Sequence, residues 1–245
     1  MLRRKTIYFW ISRICLICVF ITMCLAGLNF ATSYRDCSFD SDLGNQYIDD
    51  GNGDAITVDF ASLKARNADT VGWIRLPDTI LNYPVVQCTN NWQYLNQRFD
   101  GAATEYGTIF ADHRSDLKDG NNIILYGHNQ GKFNPVKFTL LNNYVEDSMY
   151  INSHPYFEFY NAETGERTVY KIFSVIRADV TTQENIDKYY LPVKDGEYKK
   201  YLEWLQSQTI VTSEVKVNEK KQAMILSTCT DDAYWQRILV CGLAN

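Results

Sequence analysis

The sequence predicts a mainly β fold, one closed or nearly closed β-barrel of seven to eight strands, preceded by an apolar N-terminal segment. Short runs of β-branched and aromatic residues recur between turn residues through most of the chain. Only two segments after the N-terminal region have the character of helices. Many short strands with so few helices favour a closed barrel over a parallel α/β sheet.

The N-terminal segment predicts a single transmembrane helix. No charged residue lies between Arg13 and Arg35, and the apolar run at residues 14–31 is close to the ~20 residues that a helix needs to cross a bilayer core. The four charges up to residue 13 are all basic. By the positive-inside rule, residues 1–13 stay in the cytoplasm and residues 14–34 form a signal anchor in the cell membrane. The chain after residue 34 is then extracellular.

A cleaved signal peptide is the alternative to an anchor. Its apolar region is normally shorter and ends at a small-x-small cleavage site, which residues 31–33 do not supply well. A lipoprotein is disfavoured, because Leu28, and not a cysteine, follows the Leu-Ala-Gly at residues 25–27.

The exported part begins with a predicted linker. Residues 35–58 are acidic and rich in Gly and Asn, with few apolar residues to bury. Residues 59–66 then predict a short helix with Phe60 and Leu63 on one face. No Pro/Gly/Ser linker divides the chain after residue 59, so we expect residues 59–245 to form one domain.

Seven strands and one further helix are expected in that domain. The helix covers residues 195–208, where aromatic and aliphatic residues recur at the i, i+3, i+4 and i+7 spacing of an amphipathic helix. The strands are expected at residues 71–76, 83–87, 108–111, 122–126, 167–176, 223–228 and 237–243.

Charge and cysteine content exclude several classes of function. Four of the 24 Lys and Arg lie in the first 32 residues and none of the 29 Asp and Glu do, which leaves a formal charge of −9 on the rest. That charge does not favour binding to nucleic acid. The four cysteines after residue 34 are too few for a disulfide-stapled mini-protein. With no CxxC or HxxxH pattern and only three histidines, no metal or cofactor is expected.

Three residues at strand ends could carry acyl-transfer chemistry. Cys229 ends an apolar strand, where a thiol can be held rigidly at a cleft, and His128 follows another strand after a glycine. Arg237 opens the last strand, and its permanent charge could stabilise an oxyanion. Singly, each has a commoner structural explanation, as a buried cysteine, a hydrogen-bonded histidine or a surface arginine. Together they match a thiol acyl-transfer site.

Around these residues the chain resembles the class B sortases of Gram-positive bacteria, across nearly all of residues 59–243. The blocks LYGHN and LSTC, in that order and followed by an arginine-led strand, are the most specific matches. The resemblance also implies the sortase barrel, with a helix added between two late strands. The matching blocks lie at residues 71–74, 82–87, 94–96, 107–110, 124–129, 226–229 and 237–240.

The resemblance assigns catalytic roles to the three strand-end residues. Cys229 matches the nucleophile, His128 the acid/base, and Arg237 the arginine that stabilises the oxyanion or orients substrate. It also implies an auxiliary aspartate soon after the cysteine. The chain offers both Asp231 and Asp232 there, and the Ala-Tyr that follows favours Asp232.

Substrate-binding residues are implied in the same way. Leu95 and Asn96 match a segment that lines the sorting-signal groove, and Ser227 lies in the LSTC block. Thr182 and Ile186 fall in residues 180–186, where the family has its substrate-gripping loop.

The implied reaction has two acyl transfers. The cysteine cleaves a C-terminal sorting motif after Thr to give a thioacyl-enzyme, and an amine of a cell-wall precursor then accepts the acyl group. The implied partners are surface proteins bearing that motif, the wall precursor and the membrane. A pilus-type sortase that joins protein subunits through a lysine amine remains open, as does a catalytically silent anchored barrel that binds peptides.

The strand spacing also predicts which cysteines do not pair. On a strand that starts at Arg237, Cys241 lies four residues along, about 13 Å at ~3.3 Å per residue. A disulfide needs Cα atoms within ~7 Å. We therefore expect neither Cys241 nor Cys88 to be bonded to Cys229.

Overall fold

The computed structural model describes residues 2–49, 55–131, 134, 136–190, 193, 196–231, 233 and 235–245. By its contacts the chain divides into two compact units, Met1–Asp42 and Leu43–Asn245.

One long helix, α1 (Leu2–Tyr47), runs through the first unit and ends in the second. Among the described residues, no helix meets the length and hydropathy of a membrane span. α1 continues to Tyr47 and so includes part of the segment expected as a linker at 35–58. Between Asp36 and Tyr47 the only glycine is Gly44 and there is no proline, so no strong helix breaker lies in this stretch.

The second unit contains the predicted closed barrel, with eight strands. Around the barrel the order is β10-β8-β7-β3-β4-β5-β6-β9, and β9 closes on β10. The pairs β4–β5 and β6–β9 are parallel, and the other neighbours are antiparallel. The barrel strands are β3 (Thr70–Arg75), β4 (Asn82–Val86), β5 (Phe110–Ala111), β6 (Asn122–Tyr126), β7 (Tyr156–Asn161), β8 (Arg167–Asp179), β9 (Ala223–Cys229) and β10 (Gln236–Ala244). Outside the barrel, β1 (Ile48–Asp49) pairs with β2 (Thr57–Val58).

The second unit also contains several short helices. The predicted N-terminal helix is α2 (Phe60–Arg66), which begins where the Asp59 carboxylate accepts the Ser62 N–H at 3.0 Å. The predicted late helix is α6 (Tyr198–Ser207), between β8 and β9. The remaining helices are α3 (Asn143–Glu146), α4 (Tyr150–Ser153) and α5 (Gln183–Tyr190), with 3-10 turns at Gln93–Leu95 and Thr139–Asn142.

The last two strands are buried on both faces. Along β9, Met224 and Leu226 belong to the larger apolar cluster, whereas Ile225 belongs to a second cluster with Leu202 and Leu205 of α6. Alternate residues of a strand face opposite sides, so the second cluster lies on the outer face of the barrel beneath α6. This explains why β9 is a continuous apolar run instead of an alternating one.

Candidate functional site

Strand pairing brings the three predicted catalytic residues to one edge of the barrel. β6 and β9 are parallel with Tyr126 opposite Ser227, so both strands end at the same edge. His128 follows β6 by two residues, and Cys229 is the last residue of β9. Arg237, near the start of β10, is the ladder partner of Cys229. His128, Cys229 and Arg237 all line a single cavity of about 310 Å³.

The ladder also fixes the relation between the thiol and the guanidinium. Directly opposed residues of antiparallel strands have Cα atoms roughly 4.5–5.5 Å apart and side chains on the same face. Cys229 and Arg237 are such a pair, and both follow the alternation that points Ile225 toward the outer cluster. The Arg237 Nη1 donates to the Gln236 carbonyl at 2.9 Å. The arginine side chain therefore starts from the same face of the ladder as the Cys229 thiol.

His128 is held by the backbone of the segment predicted to bind substrate. Its Nε2 lies 2.7 Å from the Leu95 carbonyl oxygen. A carbonyl can only accept a hydrogen bond, so Nε2 carries the proton and Nδ1 is the basic nitrogen of the neutral ring. Gly107 allows this approach: it has φ +56°, and a Cβ there would lie 2.5 Å from the Tyr94 oxygen and 2.7 Å from the Leu95 oxygen.

The segments carrying His128 and Cys229 are tied together by hydrogen bonds on either side of the site. The Gly127 N–H donates to the Ser227 carbonyl at 3.2 Å, and the Thr228 hydroxyl donates to the Gly127 carbonyl at 2.8 Å. Beyond them, Asn129 Nδ2 donates to the Cys229 carbonyl at 2.9 Å. These contacts hold the acid/base candidate and the thiol in a set arrangement.

The rings of Phe110, Tyr126 and Tyr190 lie in the cavity wall. The rings of Phe110 and Tyr126 are 5.2 Å apart between centroids, and those of Tyr126 and Tyr190 are 5.7 Å apart. The Tyr190 hydroxyl lies 2.9 Å from the Ser227 hydroxyl. Burial raises the pKa of Tyr190 to about 12, so its phenol stays neutral and acts as a hydrogen-bonding group.

A buried carboxylate supports this wall from behind. Asp112, 1% exposed, accepts hydrogen bonds from Arg114 Nε (2.8 Å) and Nη2 (2.7 Å), from Asn91 Nδ2 (2.8 Å) and from the Tyr126 hydroxyl (2.9 Å). Burial alone would raise the pKa of Asp112, but the bonds from Arg114 and Tyr126 outweigh it and hold the pKa at about 2. Arg114 Nη2 also donates to the Tyr190 carbonyl at 2.9 Å. One carboxylate thus connects three lining residues.

The predicted substrate-binding residues separate into two groups. Leu95, Ile186 and Ser227 line the cavity. Asn96 and Thr182 are not among the lining residues that the structure describes. Asn96 ends the 3-10 turn at Gln93–Leu95, and the Thr182 hydroxyl accepts the Asn185 N–H at 3.2 Å at the start of α5.

Of the two candidate auxiliary aspartates, the structure describes one. Asp231 is exposed, and its Oδ1 accepts a hydrogen bond from Asn129 Nδ2 at 2.5 Å. Asp232 lies outside the described residues. In the second unit the structure describes the cysteines Cys88, Cys229 and Cys241, and all three are free thiols.

Sequence reasoning missed several lining residues. Asn91, Phe110, Tyr126 and Tyr190 line the cavity but were not among the predicted site residues. Val180 also lines it and falls in the predicted substrate-gripping segment at 180–186, where only Thr182 and Ile186 were singled out. A signal was available for Tyr126, because it lies two residues before His128 in the LYGHN block. No local pattern marks Asn91 or Tyr190, which reach the cavity through the fold.

Comparison with known proteins agrees with this geometry. The Sortase domain family matches residues 74–244. The chain is 38% identical over 176 residues to sortase B of Staphylococcus aureus (strain NCTC 8325 / PS 47), covering 71% of this chain and 68% of that protein.

Two solved structures show the same fold. The Staphylococcus aureus sortase B–substrate complex aligns with a TM-score of 0.68 at 29% identity, covering 86% of this chain and 92% of that one. A sortase B crystallised with triglycine aligns with a TM-score of 0.66 at 35% identity, covering 76% and 85%. The chain therefore belongs to the sortase family of cysteine transpeptidases, and within it to class B.

Proposed function

We propose that this transpeptidase cleaves a C-terminal sorting motif after Thr and joins the released protein to an amine of a cell-wall precursor. One observation carries the proposal: Cys229, His128 and Arg237 line the same cavity, each at the end of a different strand. A nucleophile, an acid/base and a fixed cation around one cleft suit acyl transfer.

In the first half-reaction the Cys229 sulfur attacks the carbonyl carbon of the Thr. The Arg237 guanidinium stabilises the oxyanion. As the C–N bond breaks, the protonated His128 gives its proton to the leaving amine. The thioester that remains on Cys229 conserves the acyl reactivity for transfer.

In the second half-reaction an amine attacks the thioester carbon. His128, now neutral, accepts the proton of the incoming amine, and the Cys229–carbon bond breaks to return the thiolate. A related sortase B has been solved with triglycine, which supports a small peptide amine as acceptor.

The cavity lining supports a short peptide as the first substrate. Apolar side chains of Leu95 and Ile186 lie on the same cavity as the hydroxyl of Ser227 and the thiol of Cys229. A mainly apolar cleft with a few polar groups is typical of ligand-binding sites. The substrate complex of the S. aureus relative supports the same assignment.

The proposal includes an extracellular location. Residues 1–13 would be cytoplasmic, 14–34 would anchor the chain in the membrane, and 35–58 would connect the anchor to a catalytic domain at 59–245. The support is the uncharged apolar run after Arg13 and the basic charges before it. Sorting-motif proteins and wall precursors both reach the outer membrane face, so this location would hold the enzyme beside both substrates.

A peptide library tests the function directly. The full chain in detergent would be incubated with a library of motif-bearing peptides and triglycine, and the products identified by mass spectrometry. We expect cleavage after Thr, a thioester on Cys229, and a new bond between the Thr carbonyl and triglycine. The Cys229→Ala variant should give none of these.

The same experiment separates the alternatives. If a lysine side-chain amine on a folded protein is joined in strong preference to triglycine, the pilus-type reaction replaces wall anchoring. If peptides bind but Cys229 is never acylated, the chain is a silent peptide-binding barrel and the proposal fails.

A further inference from the structure

The β6–β9 ladder ends just short of the two reacting side chains. Its last register pair is Tyr126 and Ser227, and the Gly127 N–H makes one further bond to the Ser227 carbonyl. His128 and Cys229 both lie beyond that point. The distance between them therefore depends on contacts that are not part of the ladder.

Asn129 makes the outermost of these contacts, and both polar atoms of its side-chain amide have partners. Nδ2 donates to the Cys229 carbonyl (2.9 Å) and to Asp231 Oδ1 (2.5 Å), while Oδ1 accepts the Gly131 N–H (2.9 Å). Two acceptors on one side and a donor on the other allow only one orientation of the amide. The side chain thus continues the ladder by a cross-link directly after His128.

We propose that Asn129 is a positioning residue that holds the Cys229 backbone in register with His128, and that Asp231 acts through Asn129 and not on the substrate. The inference rests on the cysteine chemistry of the site and not on which motif or amine it takes. Asp231 uses an oxygen to orient the amide, so a neutral acceptor of the same shape should serve in its place. This gives the aspartate after the cysteine a structural task in place of a catalytic charge.

Asn129→Asp is the most direct variant. It is nearly isosteric and keeps the oxygen that accepts the Gly131 N–H, but it places an oxygen where Nδ2 donates to Cys229. The new carboxylate also faces Asp231, and the like charges repel. Small displacements of reacting groups cost up to ~10²-fold in rate. We expect kcat to fall about 10–100-fold on a peptide that the parent cleaves, with KM within about threefold.

Two Asp231 variants distinguish a role in orienting the Asn129 amide from a catalytic role of the Asp231 charge. Asp231→Asn keeps an acceptor oxygen for Asn129, whereas Asp231→Ala removes it. We expect Asp231→Asn to lose clearly less activity than Asp231→Ala. Equal, large losses would indicate a catalytic carboxylate and overturn the proposal. Asp231 is exposed, so both variants should fold even if Asn129→Asp does not.

A substrate-free readout makes the test independent of the proposed motif. Iodoacetamide alkylation of Cys229 in the full chain, located by peptide mapping, would be followed from pH 5 to 9. The rate profile of Asn129→Asp should move toward that of His128→Ala, because the thiol and imidazole are no longer held together. The matched control for the amide-to-acid change is Asn152→Asp, which alters an exposed asparagine of α4. A parental profile and parental kcat in Asn129→Asp would overturn the proposal.

The double variant Asn129→Asp/Asp231→Asn completes the design. It removes the repulsion between carboxylates but leaves the Cys229 carbonyl without its donor. We expect kcat to stay well below the parent. Full recovery would show that repulsion alone caused the loss and that the bond to Cys229 does not matter.

Discussion

Arg237 stands opposite Cys229 in the β9–β10 ladder, and its shape matters as much as its charge. Arg237→Lys keeps the positive charge but loses the planar fork of donors. Loss of an oxyanion donor typically lowers turnover by ~10²–10³-fold, about 2.7–4 kcal/mol. We expect measurable activity with kcat reduced by that order, measured by steady-state peptide cleavage. Arg66→Lys, on the exposed surface of α2, is the control. Parental activity in Arg237→Lys would move the oxyanion role elsewhere.

Gly107 is required by the backbone that positions His128. A Cβ there would approach the Tyr94 and Leu95 oxygens to 2.5 and 2.7 Å, so the segment that accepts the hydrogen bond from His128 Nε2 must move. A left-handed backbone costs a non-glycine residue ~1–2 kcal/mol. We expect Gly107→Ala to lower the free energy of unfolding by more than that amount and also to lower kcat. Urea unfolding and peptide cleavage measure the two effects.

Gly165→Ala is the matched control for that substitution. Gly165 also has positive φ (+73°), but a Cβ there would meet nothing within 4 Å. Gly165→Ala should therefore lose only the stability that a positive φ costs a non-glycine residue, and it should keep full activity. Equal stability losses at the two glycines would mean that the crowding at Gly107 is relieved without consequence.

At the residue scale, the predictable part of the site was the part with local signals. Cys229, His128 and Arg237 could be found because each stands at a strand end in a specific motif. Asp112 could not, because its partners Asn91 and Tyr126 lie in other segments. Asn129 lies in the LYGHN block, but its contact with Cys229 could not be read from that motif. Their importance comes from contacts that only the fold creates.

Among the elements, β7 shows why a strand that contains a buried charge is hard to predict from sequence. None of the expected strands lies between residues 126 and 167, although Tyr156–Asn161 is rich in aromatic residues. Glu158 interrupts that apolar run, yet it is fully buried. Arg167 forms an ion pair with it, and the Tyr160 hydroxyl donates to it at 2.9 Å. The charge is tolerated because partners satisfy it, and one of them comes from the neighbouring strand β8.

α5 was also missed, for a different reason. Residues 180–186 were expected to form a loop, but α5 covers Gln183–Tyr190 and carries Ile186 and Tyr190 to the cavity. The Thr182 hydroxyl accepts the Asn185 N–H at the start of α5, which orders the helix that carries these two lining residues. A short helix of eight residues gives too little periodicity to be recognised from sequence.

The Asp112 carboxylate joins three elements and gives the fold a defined response to acid. It follows β5 directly, accepts from Tyr126 of β6, and through Arg114 reaches the end of α5. Its pKa in the fold, about 2, lies below the ordinary 3.8. A depressed carboxyl pKa contributes stability above the ordinary value and loses it as pH falls through the folded value.

The test compares the parent with Asp112→Asn across pH. At pH 7 the variant should be less stable by about 1–3 kcal/mol, because buried donors lose a charged acceptor. Between pH 4 and pH 2 the difference in free energy of unfolding should shrink as the parent carboxylate is protonated. Urea unfolding at several pH values measures it. A difference that stays constant over that range would contradict the assigned role of the carboxylate.

Over the whole barrel, the parallel β6–β9 pair is what makes the site. Antiparallel neighbours would place the ends of β6 and β9 at opposite edges, and His128 would be remote from Cys229. The parallel pairing brings both strand ends together, and the antiparallel β10 then starts at the same edge with Arg237. Helices α5 and α6 cover the outer face up to this edge, where the cavity opens.

At the scale of the whole chain, the prediction concerns the membrane anchor. The uncharged run between Arg13 and Arg35 is long enough to span the bilayer core, and residues 31–33 offer a poor cleavage site. We expect residues 14–34 to remain in the mature protein. Membranes from producing cells would be washed with alkaline carbonate, and the retained protein extracted and sequenced from its N-terminus. The expected result is membrane retention with an N-terminus before residue 14. A mature chain beginning near Ser33 would instead show a cleaved signal and a secreted enzyme. Replacing Val19 and Phe20 with Arg supplies the comparison, because a charge at the centre of a span costs about 2.5–3.5 kcal/mol on insertion scales and should release the chain from the membrane fraction.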